Sequence, residues 1–162
     1  MKIIKFLDKR IEEILIGGLL SGMSIIIAIQ VFMRYVMKAS LSWSEEIARY
    51  MFIWMVYIGI SYGVKQSKHI KIDAAVNIFP RIIRKYLYIL SDFIFLFFSV
   101  VIVIKSKEVS SLIFKLGQVS PATGIAMGYV YLAVPIGLSL VSIRLVQRIF
   151  FKIKNLKETT NY

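Results

Sequence analysis

The chain has 162 residues, of which 58% are hydrophobic and 21 are Lys or Arg against 9 Asp or Glu, for a formal net charge of +12. Its mean hydropathy of +0.73 is above that of ordinary soluble domains, and its basic residues lie between long apolar runs, which is the pattern of membrane loops rather than of a nucleic-acid surface. Cysteine is absent and His69 is the single histidine. Thiolate chemistry, Cys-ligated metals and two-histidine haem or zinc ligation by this chain alone are therefore excluded.

In chain order, the basic head "MKIIKFLDKR" precedes an apolar run that is too long for a signal-peptide core and has no small-residue cleavage site, so a retained anchor is expected. Four segments are long enough to cross a hydrocarbon core of about 30 Å at about 1.5 Å per residue: 14–33, 47–64, 86–104 and 125–145. The predicted fold is an all-α integral membrane protein, with a four-helix membrane domain over 1–150 and a polar cytoplasmic tail over 151–162. A further short amphipathic helix is predicted on the inner surface at 72–79, where Ile72, Ala75, Val76 and Phe79 share one face before Pro80.

The loop charges predict the orientation. Lys2, Lys5, Lys9 and Arg10 fall on the same side as Lys65, Lys68, Lys71, Arg81, Arg84 and Lys85, and as Arg144, Arg148, Lys152, Lys154 and Lys157. The other side carries only Arg34, Lys38, Lys105, Lys107 and Lys115. The positive-inside rule then places both termini in the cytoplasm.

Small-xxx-small pairs at Gly18/Gly22, Gly59/Gly63 and Gly124/Gly128 suit close helix packing, within the bundle or at an oligomer face. Pro135 is expected to kink the fourth span. Asp92, the acid inside the third span, is read either as a proton relay or ion ligand, or as a neutral or Tyr88-bonded side chain between helices. His69 could sense pH, or simply pack at headgroup level.

The stretch "LSWSEEIARYMFIWM" places Glu45, Glu46 and Arg49 at the head of an apolar helix. Ser42 and Glu45 fit a capping box, and Arg49 lies within pairing distance of both acids on one helical face. Arg34, at the end of the first span with Gln30 one turn deeper, could join them, and Trp43 suits the interfacial aromatic belt. Capping needs one acid only, so the surplus points to a polar patch near the outer boundary that faces a partner.

The run "SWSEEIARYMFIWMVYIGISYGVKQSKHIKID" resembles the signature region of the DctQ-type small membrane subunit of TRAP (tripartite ATP-independent periplasmic) transporters, through Trp43, Ser44, Glu45, Glu46, Arg49, Gly59, His69 and Ile70. "SPATGIAMGYVYLAVPIG" resembles the family's outer loop and fourth helix, with Pro121 and Pro135, and departs from it at Thr123, where a larger apolar residue is expected. The resemblance covers residues 10–150. It implies a non-catalytic subunit without cofactor or metal, in a bacterial inner membrane. That subunit would scaffold a separate large sodium-coupled subunit that takes up organic acids, such as C4-dicarboxylates or sialic acid, from a periplasmic solute-binding protein. Membrane lipids are the other partner, and nucleic acid is not one. The competing reading is a stand-alone small multidrug-type exporter built around a membrane carboxylate; a haem-anchoring subunit is disfavoured by the single histidine.

Overall fold

The computed structural model describes residues 2–66 and 81–159. Helix α1 runs over Lys2–Tyr35, α2 over Ser42–Lys65 and α3 over Arg81–Lys115, followed by the one-turn α4 over Gly128–Tyr131 and by α5 over Ala133–Thr159. Four stretches are long and apolar enough to cross a membrane: Arg10–Tyr35, Ser42–Lys65, Leu87–Lys115 and Gly128–Phe150. They are the four segments predicted, with later ends. The helices do not stop at their first charge; they carry it through the boundary, because in lipid a backbone group freed from the helix has no water to bond. His69 and the expected inner-surface helix at 72–79 lie outside the described residues.

The helices are ordered as a row. α1 packs on α2, α2 on α5, and α5 on α3, while among the described residues α1 and α3 share no contact. Helix α5 is the spine of this row. Leu138, Val141, Leu145 and Ile149 recur at helical spacing and are buried, and Val64 of α2 completes the core with Tyr57, Ile60, Phe95 and Leu96 around it. The flanking helices bury little. Only 6% of the apolar stretch of α1 is buried, against 39% of that of α5, so α1 and α3 turn most of their large side chains outward.

Gly137 sets the α2–α5 distance. A Cβ there would lie 2.5 Å from Cβ of Tyr57 and 3.0 Å from its backbone carbonyl, so only glycine lets the two backbones approach this closely. The break between α4 and α5 at Leu132 falls just ahead of Pro135, whose ring displaces the carbonyl one turn before it.

Between α3 and α4 the chain forms a compact loop; it and its end of the bundle are labelled outer, and the opposite end inner, after the orientation expected from the loop charges. Val119 and Ala126 make an antiparallel bridge, and Met127 N–H donates to the Gln118 carbonyl at 2.9 Å. Gly117 and Gly124 turn the chain with φ of 62° and 69°. This corrects one expectation. Gly124 is a loop residue with left-handed backbone, so Gly124/Gly128 is not a helix-packing pair; instead Gly128 admits the Phe114 ring, which meets Tyr129 edge-on at 5.2 Å.

Candidate functional site

Polar side chains inside the helices gather in two layers. Along α1, Glu12 and Gln30 are 18 residues apart, or about 27 Å by helical rise. Along α2, Glu46 and Lys65 are separated by about 28 Å. Both spacings match a hydrocarbon core of about 30 Å, so the layers coincide with the two boundaries of a membrane rather than with its centre.

The outer layer is held by the two glutamates of the signature stretch. Glu45 accepts a 2.6 Å hydrogen bond from Gln30 Nε2, which ties α2 to α1. Glu46 faces the other way and is wrapped by the outer loop. Its carboxylate accepts from the Ser120 hydroxyl, from the Thr123 amide at 3.2 Å, and more weakly from the Ala122 amide at 3.3 Å and the Thr123 hydroxyl at 3.4 Å. Thr123, the position that departs from the family pattern, is thus one of its donors. One acid pins the first two helices together; the other holds the loop that leads to the fourth span.

The local pairing read from the sequence is absent. The cap of α2 is Leu41, without a side-chain cap bond, and it is Ser44 rather than Ser42 whose hydroxyl bonds back, to the Leu41 carbonyl at 2.6 Å. The Ser42–Glu45 capping box is therefore not formed, because Glu45 reaches Gln30 instead. Among the described residues no ion pair joins Arg34 or Arg49 to Glu45 or Glu46. Arg34, Trp43 and Arg49 are exposed on this chain.

Below Arg49 a crevice of about 520 Å³ opens between α2, the outer loop, α4 and the start of α5. Glu46, Arg49 and Gln118 stand at its polar end, while Ile53, Tyr57, Val130 and Val134 line the remainder.

The inner layer was missed from sequence. Glu12 is buried and takes three donors from two helices: Lys65 Nζ at 2.7 Å and the Ser61 hydroxyl at 3.0 Å from α2, and Arg144 Nε at 2.9 Å from α5. Asp92 of α3 is also buried and pairs with Arg148, and with Lys152 Nζ at 2.7 Å. Arg148 Nη1 further donates to the Val64 carbonyl at 3.2 Å, in the last turn of α2. Asp92 is thus neither isolated nor bonded to Tyr88; the Tyr88 ring lies 5.4 Å beneath the Lys152 ammonium instead. Arg144, Arg148 and Lys152 recur every four residues, forming a basic ladder on one face of α5 that reaches all three other long helices. That spacing was the available signal. Charge counting groups these residues with the C-terminal tail, although Arg144 and Arg148 belong to the last span and Lys152 to the helix that continues from it.

Among the described residues no group of histidines, cysteines and carboxylates could hold a metal ion. Both acids of the inner layer are paired with cations of other helices, which ties those helices together.

The family model described as "Tripartite ATP-independent periplasmic transporters, DctQ component" matches residues 23–155. A putative TRAP transporter small permease protein of Haemophilus influenzae is 32% identical over 161 residues, covering 99% of this chain and 94% of its own. The C4-dicarboxylate TRAP transporter small permease protein DctQ of Vibrio cholerae is 36% identical over 96 residues, 59% of this chain and 41% of its own. The isethionate TRAP transporter permease protein DctMQ of Oleidesulfovibrio alaskensis is 28% identical over 152 residues, which cover 90% of this chain but only 24% of that longer protein.

Proposed function

The chain belongs to the DctQ component family of tripartite ATP-independent periplasmic transporters, and from that premise we propose that it is the non-catalytic scaffold on which a large sodium-coupled membrane subunit is mounted. The large subunit carries the solute, an organic acid such as a C4-dicarboxylate or a sialic acid, received from a periplasmic binding protein. The small subunit sits in the inner membrane with both termini in the cytoplasm, as the excess of basic residues on the inner side requires.

One observation carries this reading. Phe52, Val56, Gly59 and Gly63 form a continuous stripe on α2; the two aromatic and aliphatic side chains are about half exposed or somewhat less, and a Cβ added at either glycine would meet nothing within 4 Å. The central helices of a soluble bundle are covered all round, whereas α2 keeps one face bare because the helices stand in a row. Small residues on an uncovered face of a membrane helix let a second backbone come close. We assign this stripe to the large subunit; Trp43, nine residues before Phe52, stands on the opposite face of α2. The DctMQ relative, of which this chain matches only a quarter, is consistent with such a partner being joined to the small subunit in one polypeptide. The exporter alternative needs a carboxylate open to a transport path, and Asp92 is closed in by Arg148 and Lys152.

Leucines at Gly59 and Gly63 test the assignment. The Gly59→Leu/Gly63→Leu variant is expected to purify alone with unchanged thermal stability, since its own helices leave the space empty. In cells that also express the large subunit, it should no longer copurify with that subunit or support solute uptake. Normal copurification and uptake would overturn the assignment.

A further inference from the structure

We propose that the crevice beneath Arg49 is a phospholipid site, in which the Arg49 guanidinium holds the phosphodiester and one acyl chain descends between α2 and the α4–α5 segment.

Charge points to the headgroup. The two acids nearest Arg49 in sequence are both occupied elsewhere, Glu45 by Gln30 and Glu46 by the outer loop. Arg49 has no ion pair among the described residues, and its side chain lines the polar end of the crevice. A guanidinium at the edge of an apolar region is stabilised by an anion, and its planar fork matches two phosphate oxygens at once. Its depth agrees with this, because Arg49 lies in the outer polar layer, where lipid phosphates reside.

Shape points to the tail. The crevice volume of about 520 Å³ falls within the usual range of ligand pockets, about 300–1,000 Å³. From Glu46 to Tyr57 it follows α2 inward for 11 residues, or about 16 Å, and its lining changes from polar to apolar on the way. Its inner end lies at Tyr57, which meets Gly137 at a close crossing of α2 and α5. A spanning helix of the large subunit needs about 30 Å of open length, so this wedge is too short to seat one. An acyl chain, polar-headed and narrow, meets both conditions. The site lies beside the bare α2 stripe.

The test uses the full chain, purified in detergent, stripped of lipid and titrated with 1-palmitoyl-2-oleoyl-phosphatidylglycerol while native mass spectrometry counts bound lipids. One lipid should bind ahead of the weaker, non-saturating remainder. Arg49→Gln should weaken that first event by about tenfold, the worth of a charge-assisted hydrogen bond. Val134→Trp, which fills the wedge without touching the charge, should abolish it, whereas Arg34→Gln, the other exposed arginine of the outer layer, should leave it unchanged. Inorganic phosphate at the same concentration should not compete. First-event affinity unchanged in Arg49→Gln would overturn the proposal, and this exposed substitution leaves the packing intact. So would an equal loss in Arg34→Gln, displacement by phosphate alone, or a complex with the large subunit in which a partner carboxylate meets Arg49 and the lipid is gone.

Discussion

Asp92 sits between Arg148 and Lys152 in the buried seam of α3 and α5. Truncating it would leave two cations facing each other in a region poor in water, and breaking a buried ion pair from one side costs about 3–5 kcal/mol. Asp92→Ala is therefore expected to lower the thermal unfolding midpoint in detergent far more than a typical substitution. Replacing all three partners together, as Asp92→Leu/Arg148→Met/Lys152→Met, should recover most of the loss, since an apolar seam of similar volume needs no compensation. Equal instability of the single and triple variants would show that the charges act through something other than each other. Glu12 answers to the same logic with an added reach: its partners Lys65 and Arg144 belong to different helices, so one carboxylate connects α1 to α5 although those helices do not pack directly.

At the scale of the elements, two kinds of glycine can be told apart. Gly137 lies against Tyr57 backbone and has no room to give, so Gly137→Ala should force α5 away from α2 and cost about 1–3 kcal/mol as an overpacked contact. Gly63→Ala meets nothing, and in the isolated subunit it should be neutral or slightly stabilising through its better helix propensity. A thermal melt of the two variants side by side decides this, and equal losses would refute the assignment of a bare face. From sequence these glycines are indistinguishable, because spacing reports that a face is small but not whether anything covers it. The same limit explains the other gaps. The four spans were legible because apolar length is a local property. The Ser42–Glu45 box was a sound local pattern, overridden when Gln30, 15 positions earlier, offered Glu45 a better partner. The partners of Glu12 and Asp92 lie 132 and 56 positions away on α5, and no short-range rule selects them.

At the scale of the molecule, the row of helices and the two polar layers make a joint statement about orientation. The layer of Glu12, Lys65, Arg144, Asp92, Arg148 and Lys152 has four cations to two acids, even though every acid in it is paired. An outward orientation of this layer would set that excess against the membrane potential, which is worth about 2.3 kcal/mol per charge per 100 mV. The Arg34–Glu45–Glu46–Arg49 layer has as many acids as cations and adds no such preference. The chain has no cysteine, so single cysteines can report the answer without background. Lys38→Cys, in the turn after α1, and Gln66→Cys, at the end of α2, sit at opposite ends of α2 and both side chains are exposed. In intact spheroplasts a membrane-impermeant maleimide should label Lys38→Cys and spare Gln66→Cys until the membrane is opened by detergent. The reverse pattern would invert the subunit, and with it the outer position given to the Glu46 loop, the Arg49 crevice and the Phe52 end of the α2 stripe. Because all three stand toward the same end of α2, a single labelling experiment fixes the side of the membrane for all of them.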